Sequence, residues 1–404
     1  MKNGKDSTTL LKYFFIISAF QSLAANFAHP ATPTLIQNLG LNDYMFGVAF
    51  AGMSLTNFLF SPFWGKISDQ IGRRKVLGIS GVGYAFGQIV FGMATTELGI
   101  LLGRMIAGFF IGGWNVAQLS YIMDHSEITT KGKNFTLLAT IQSVCGAAGY
   151  LIGGYIAEYS IGVMFICQAV CLALGGLMFY FLCRDSEKGN FTNTVKVGEA
   201  LKGANPFGAF LKVGKQMSLV MIIILAIALI ATFSSTAYDQ CFNYFIKDQF
   251  GLGSQYNGTI KAVIAVAILA LNSTVCVYLQ KKTDINKTFL PVTIANMIII
   301  GGFLVFESPL PFFVTYVLAS CVNALRTPLM QAMVAARSTP ENSNAMMGFY
   351  QSMNSLGSVF GALFAGLIYA QGPYLPFILA FVAFALATGL AFIYVGKYKK
   401  EKNA

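Results

Sequence analysis

Four ionisable side chains are candidates for proton coupling, because they lie inside long apolar stretches or at the outer end of one, where a charge is costly to hold. They are His29, Arg104, Asp239 and Arg326. A carboxyl group or an imidazole that is removed from water can bind and release protons near neutral pH. A guanidinium in the middle of a membrane span costs about 2.5–3.5 kcal/mol, so it is expected to face a cavity or a partner. This set predicts proton coupling, and no convergent His, Asp and Ser set favours an enzyme.

Three of these residues also have a simpler interpretation. Arg104 would then bond backbone carbonyls, His29 would hydrogen-bond at a helix kink, and Asp239 would be a water-exposed residue at the outer end of its span. These alternatives stay open at the level of sequence. Arg326 lies four spans into the second half of the chain, as Arg104 does in the first, and this repeat favours a central position for both.

Uncharged polar residues recur in the apolar stretches at helical spacing. An amide that faces lipid would be costly, so the amides are candidates for lining a substrate cavity: Asn57, Gln118, Gln142, Asn323, Gln351 and Asn354. Gly149, Gly153 and Gly154 share the stretch of Gln142. The alternative for all of these positions is close helix packing with hydrogen bonds between helices.

The elements that must position these residues are predicted to be helices in a lipid bilayer. Of the 404 residues, 55% are hydrophobic and 11% charged, with a mean hydropathy of +0.63, whereas a soluble domain carries roughly 25% charged residues. Apolar windows long enough to cross the bilayer fall near 12–32, 44–64, 76–94, 98–121, 135–157, 161–183, 216–238, 259–279, 287–306, 310–333, 345–369 and 373–396. The prediction is an all-α membrane protein with twelve spans.

The longest polar connection, at residues 184–215, divides these spans six and six. We therefore expect an N-terminal six-helix bundle at 1–183, a cytoplasmic central loop at 184–215, a second bundle at 216–396 and a basic cytoplasmic tail at 397–404. Duplicated six-helix halves with a site at the midplane are a recurring transporter plan.

The basic residues are distributed over alternate loops. One set of loops, including both termini, holds 23 of the 27 Lys and Arg residues, which predicts that both termini are cytoplasmic in the cell membrane. The net charge of +11 is spread out and is not gathered into a patch, so a nucleic-acid partner is not expected. The seven cysteines lack ligand spacing, and neither a metal nor a cofactor is expected.

The segment at residues 65–75, Gly-Lys-Ile-Ser-Asp-Gln-Ile-Gly-Arg-Arg-Lys, is the most specific motif. Its glycines allow a tight turn, and Asp69 can accept hydrogen bonds from arginines or from a helix N-terminus. The simplest alternative is an ordinary positively charged loop. A conformational-switch role is the other prediction, carried by Gly65, Asp69, Gly72, Arg73 and Arg74.

This segment closely resembles the loop signature G-x-L-A-D-R-x-G-R-R/K of the major facilitator superfamily, with Gln70 in place of an arginine. Residues 104–108 resemble the R-x-x-x-G motif of the fourth span. Residues 149–154 resemble the fifth-span antiporter motif G-P-x-x-G-G, with Tyr150 in place of proline. The regions around Asn323 and Asn354 are similar to quinolone-type multidrug exporters.

The resemblance implies two pseudo-symmetric six-helix bundles and antiport of drug-like molecules against protons, as in the quinolone and tetracycline exporters. Partners would be small molecules, protons and lipid, and we expect a monomer. Two alternatives stay open: proton-coupled uptake of a nutrient or metabolite, and a non-transporting membrane receptor. No G-x-x-x-x-G-K-[ST] signature occurs, which argues against an ATP-driven pump.

Overall fold

A computed structural model describes residues 2–127, 130–186, 196–203, 217–337 and 343–403, and no strand occurs in these ranges. The predicted all-α class is confirmed. The helices are α1 (Lys2–Ala25), α2 (Thr32–Asn38), α3 (Met45–Ile71), α4 (Arg73–Gly92), α5 (Glu97–His125), α6 (Lys131–Tyr159), α7 (Ile161–Leu182), α8 (Val197–Gly203), α9 (Leu219–Asp248), α10 (Ser254–Leu271), α11 (Val277–Lys282), α12 (Ile285–Gly301), α13 (Pro309–Ala336), α14 (Ser343–Tyr369) and α15 (Leu375–Asn403).

Helices stand at all twelve predicted span positions. In the described ranges, ten helices are long and apolar enough to cross a membrane, with the π-helical turn Asn272–Cys276 joining α10 to α11. The other two positions are taken by α1, whose apolar part is Thr9–Ala25, and by α4. Large apolar side chains such as Ile16, Phe86 and Phe181 are exposed, as expected for helix faces that are covered by lipid.

The first predicted span, 12–32, is shorter than expected. Helix α1 ends at Ala25, and the chain turns through residues 26–31 before α2 begins. Pro30 disfavours helical geometry in the residue before it and lacks an N–H group. The last carbonyl groups of α1 are satisfied by side chains from other helices: Tyr84 Oη donates to Ala25 O at 3.1 Å, and Gln168 Nε2 donates to Ala24 O at 3.1 Å.

Three segments expected to be loops or tails contain helix. Helix α3 continues to Ile71 and α4 begins at Arg73, so the predicted loop at 65–75 is a one-residue connection at Gly72. Helix α8 lies inside the predicted central loop, most of which is outside the described residues, and α15 extends through the predicted tail to Asn403. Continuing a helix satisfies backbone groups that a loop would leave to water.

The chain forms two compact units. One comprises residues 1–41, 52–206 and 253–262, and the other 42–51, 207–252 and 263–404. In the first unit, α1 packs on α6 and α7, and α4 packs on α5 and α7. In the second, α9 packs on α14 and α15, and α12 packs on α13 and α15. The same pairing scheme therefore occurs twice, while the domain boundaries drawn from the sequence stay a prediction.

Candidate functional site

Arg104, on α5, is a buried cation with unusual partners. Its side chain is 3% exposed, and Nη2 donates a 2.7 Å hydrogen bond to Thr32 Oγ1. Nη1 lies 3.8 Å from the sulfur of Met53, and the guanidinium stands 4.0 Å from the centre of the Phe91 ring. Nε has no hydrogen-bond partner among the described residues. Among the described residues, Arg104 makes no hydrogen bond to a backbone carbonyl, which differs from the carbonyl-bonding alternative, and its functional role stays a prediction.

Thr32 holds the guanidinium because of the turn that precedes α2. The Thr32 hydroxyl donates to Ala28 O at 2.9 Å and accepts from Arg104. In the same turn, the His29 ring stacks on Tyr150 with 5.5 Å between ring centres and 12° between planes. His29 makes no side-chain hydrogen bond to a described residue, which differs from the kink interpretation.

Asp239 lies well inside α9, because that helix runs on to Asp248 and not to the expected end at 238. Its side chain is partly buried, and Oδ1 accepts a 2.5 Å hydrogen bond from Tyr316 Oη on α13. The Tyr316 ring is in turn stacked on Phe242 at 3.5 Å. Asp239 therefore does not end its helix, and its position relative to the water boundary stays a prediction.

Arg326, on α13, is the second buried arginine, with 3% exposure. Its Nε donates to Asn323 Oδ1 at 2.9 Å, and Nη1 has no partner among the described residues. The structure thus brings together two residues that the sequence singled out separately. Neither buried arginine is within 4 Å of a described carboxylate.

The predicted cavity amides do not form one cluster. Gln142 Nε2 donates to Gln118 Oε1 at 2.9 Å, and Gln118 Nε2 donates to Ser18 Oγ at 3.3 Å, which links α6, α5 and α1. Asn354 accepts from Thr232 Oγ1 at 2.7 Å, joining α14 to α9. Asn57 accepts from Ser61 Oγ within α3 at 3.3 Å, and Gln351 is exposed. A cavity role for these six residues stays a prediction.

The glycines of the antiporter-like motif lie where helices touch through their backbones. A Cβ atom at Gly149 would overlap the carbonyl oxygen of Leu23, and one at Gly153 would overlap that of Phe27. At Gly154 the added Cβ would stand 2.7 Å from Ser254 O. The spacing of four residues between the first two glycines lets α6 lie directly on α1.

The residues of the predicted switch form an ion-pair network at the junction of α3 and α4. Arg73 Nη1 lies 2.6 Å from Asp69 Oδ1, and Arg73 Nε lies 3.0 Å from Asp124 Oδ2 at the end of α5. Gly65 faces Val116 with room for a methyl group. One arginine therefore ties α4 to both α3 and α5.

Gly72 makes the single-residue connection possible. Its φ of 97° is a conformation that L-residues rarely adopt. A Cβ at this position would overlap the Asp185 carboxylate, which accepts a 2.8 Å hydrogen bond from the Arg74 backbone N–H. Asp185 thus caps the start of α4, where a negative charge is favourable, and Arg74 lies 5.1 Å over the Tyr180 ring.

Sequence reasoning missed Asp124 and Asp185 in this network, and Thr32 and Tyr316 near the buried charges. Asp124 and Asp185 follow the ends of apolar runs, which is a weak signal, because most acids there are simply hydrated. Their partners lie 51 and 111 residues away along the chain, so no local spacing reveals them.

We expect Gly72→Ala to lower the free energy of unfolding of the detergent-solubilised protein by more than the backbone strain alone, which is about 1–3 kcal/mol. The added methyl group must also displace the Asp185 cap. Gly40→Ala is the matched control, because Gly40 has a φ of 62° but nothing within 4 Å of an added Cβ. Thermal unfolding midpoints compare the two variants, and equal losses would contradict a tight contact between Asp185 and Gly72.

A family model described as Major Facilitator Superfamily matches residues 14–311 and 286–404. The chain is similar to multidrug resistance protein 2 of Bacillus subtilis (strain 168), with 23% identity over 387 residues, which cover 93% of this chain and 92% of that protein. It is also similar to tetracycline resistance protein, class B, of Escherichia coli, with 24% identity over 363 residues, 89% of this chain and 88% of the relative.

A similar solved structure is that of a bacterial homologue of the human lysosomal transporter Spinster. The TM-score is 0.75 at 14% identity, and 98% of each chain is covered. At this level of identity the similarity concerns the fold alone.

Proposed function

The chain belongs to the major facilitator superfamily and is a multi-pass membrane transporter, and we propose that it exports amphiphilic small molecules in exchange for protons. Exchange of this kind draws on the proton gradient. Each entering proton contributes about 2.3 kcal/mol per 100 mV of membrane potential and about 1.4 kcal/mol per pH unit.

The observation that carries the proposal is the Asp239–Tyr316 pair. Among the described residues, Asp239 is the carboxylate that lies farthest from either end of its helix. Its partner Tyr316 is fully buried and fixed by its stack on Phe242. A carboxylate within an apolar helix is a candidate functional group, and making and breaking the Asp239–Tyr316 hydrogen bond would provide a two-state element for coupling.

The direction of transport is proposed from the relatives. Two proteins that align along most of this chain are named for resistance to multiple drugs and to tetracycline. Resistance through a membrane transporter requires that the compound leave the cell, and this supports export over uptake.

The proposal also covers the membrane in which the protein lies, its orientation there and the residues that change contacts during transport. Bacterial relatives and the distribution of basic residues support the cell membrane with both termini cytoplasmic, and we propose that the chain acts as a monomer. The Arg73 network would then lie at the cytoplasmic ends of α3, α4 and α5. Its two carboxylate contacts, to Asp69 and Asp124, would form in one conformation and break in another.

Everted membrane vesicles that contain the protein test this function. After the interior is acidified by respiration, lipophilic cations, fluoroquinolones, tetracyclines and phenicols are added in turn while a fluorescent dye reports internal pH. We expect at least one compound to dissipate the pH gradient, with no response in vesicles that lack the protein. Proton movement with sugars or organic acids in right-side-out vesicles, and with nothing on the panel, would instead establish uptake.

A further inference from the structure

An open groove with a volume of about 670 Å³ runs between α4 and α7 in the first unit, with one side chain of α5 in its lining. It forms because the two helices touch through glycines. An added Cβ at Gly78 would stand 3.0 Å from the Cβ of Tyr180, and one at Gly176 would stand 2.9 Å from Gly78 O. The larger side chains beside this contact become the walls. The volume lies in the range of pockets that hold small molecules, about 300–1,000 Å³.

The walls of this α4–α7 groove are apolar and exposed. Phe86 on α4 and Phe181 on α7 are more than half exposed, and Val82 between them is 43% exposed. Among the described side chains that line the groove, the one polar atom is the hydroxyl oxygen of Tyr180. In a membrane protein such a surface is covered by hydrocarbon. The groove is therefore suited to a hydrocarbon chain.

One end of the groove is basic. Arg74 precedes Gly78 by four residues, so it lies one turn away on the same face of α4, and Lys75 follows it. The Arg74 guanidinium stands 5.1 Å over the ring of Tyr180, which itself lines the groove. Arg184, four residues after Tyr180, is exposed just beyond the end of α7. Three basic residues therefore belong to the end at which the apolar part of α4 begins.

The Arg74 guanidinium is able to accept an anion. Its Nε is buried without a hydrogen-bond partner among the described residues, and it forms no ion pair within 4 Å in the described part of the chain. Asp185 accepts its hydrogen bond from the backbone N–H of Arg74 and not from the guanidinium. Asp69 and Asp124 are both paired with Arg73. The acids of this region thus leave the Arg74 side chain available.

A phospholipid combines the two features that this site would recognise. Arginine binds phosphate oxygens through its planar donors, and basic pockets between helices at the membrane surface bind anionic headgroups. From Arg74 to Phe86, α4 rises about 18 Å, roughly half of a hydrocarbon core of about 30 Å and so about one leaflet. We propose that an anionic phospholipid binds here, with its phosphate at Arg74 and one acyl chain in the α4–α7 groove. The inference goes beyond the proposed transport function and does not depend on it.

Native mass spectrometry of the purified full-length protein in detergent tests the inference. Phosphatidylglycerol, which carries a net negative charge, and phosphatidylcholine, which carries none, are titrated with identical acyl chains. We expect phosphatidylglycerol to bind at least about fivefold more tightly, the effect of one basic residue near an anionic headgroup. Equal binding of the two lipids, or no binding of either, would overturn the inference.

A charge variant tests the headgroup position. Arg74→Gln should weaken binding of phosphatidylglycerol by about fivefold and leave phosphatidylcholine unchanged. Lys66→Gln is the matched control, because Lys66 is an exposed basic residue on α3 that does not line the groove. It should bind phosphatidylglycerol as the parent protein does. An equal loss in both variants would show a general effect of net charge and no site at Arg74.

A second variant tests the acyl-chain position. Val82→Trp fills the groove and should weaken binding of both lipids by at least about fivefold, because several CH₂ groups lose their contacts. Val163→Trp is the matched control, since Val163 lies at the other end of α7 with 42% exposure and does not line the groove. Arg74→Gln and Val82→Trp alter different parts of the site, so either still tests it if the other does not fold.

Two further results would contradict a lipid at this site. Glycerol 3-phosphate has the phosphate but no acyl chain, and it should not displace phosphatidylglycerol at equal concentration. If it does, the arginine binds a free anion and the groove holds no chain. If the protein binds no lipid and forms dimers that Val82→Trp dissociates, a second copy covers the groove.

Discussion

Asp239→Asn is expected to abolish proton movement driven by substrate while leaving the protein folded. The amide has nearly the shape of the carboxyl group and can still accept the hydrogen bond from Tyr316 Oη. It cannot bind and release a proton, so a transport cycle that requires this step stops. In everted vesicles, the compound that dissipates the pH gradient in the parent protein should produce only the background response of vesicles without the protein.

Asp248→Asn provides the comparison within the same helix. Asp248 ends α9, is exposed, and accepts a 2.7 Å hydrogen bond from Tyr369 Oη. Like Asp239, it accepts a hydrogen bond from a tyrosine, but it lies at the end of the helix and not inside it. We expect its response to remain near that of the parent protein. A full response from Asp239→Asn at equal protein amounts would show that the proton is carried elsewhere.

The second large effect is expected at Gly153. Gly153→Ala places a methyl group against the carbonyl oxygen of Phe27, and α6 and the turn that follows α1 must move apart to admit it. Overpacking of this kind costs about 1–3 kcal/mol, and the double variant with Gly149→Ala, which meets Leu23, should lose more. Thermal unfolding of the purified protein measures both.

The matched control is Gly389→Ala on α15, where an added Cβ has nothing within 4 Å. Alanine is the better helix former by up to about 1 kcal/mol, so this variant should be as stable as the parent or more so. If Gly153→Ala were equally harmless, the contact between α1 and α6 would be looser than the structure describes. The antiporter-like spacing would then need an explanation other than packing.

Much of the fold follows from local sequence. The apolar stretches predicted twelve spans, an all-α membrane protein and, with the segment at 65–75, the superfamily that the family model confirms. These predictions succeed because hydropathy and helix geometry act over about twenty consecutive residues. They fail at boundaries such as Gly72 and the end of α9, where continuing a helix depends on what packs beside it.

The candidate site, too, could be predicted only in part from the sequence. Composition and spacing marked Arg104, Arg326 and Asp239 as costly charges, and this cost is a property of each residue in lipid. Their partners Thr32, Asn323 and Tyr316 are mostly distant in sequence, with separations of 72 and 77 residues for the first and third pairs. Asn323, which the sequence singled out as an amide in an apolar stretch, lies only three residues before its arginine.

The sequence by itself determined that this chain enters a bilayer, where its helices lie, and which charges must be accommodated. The tertiary structure decided which groups accommodate them: Asp124 and Asp185 at the α3–α4 junction, and Tyr316 at Asp239. It also placed His29 and Lys261 against the ring of Tyr150, from three separate segments. The physical reason is that the cost of burying a side chain depends on its own residue type. The partner of that side chain depends instead on which helices cross and where along their lengths they cross.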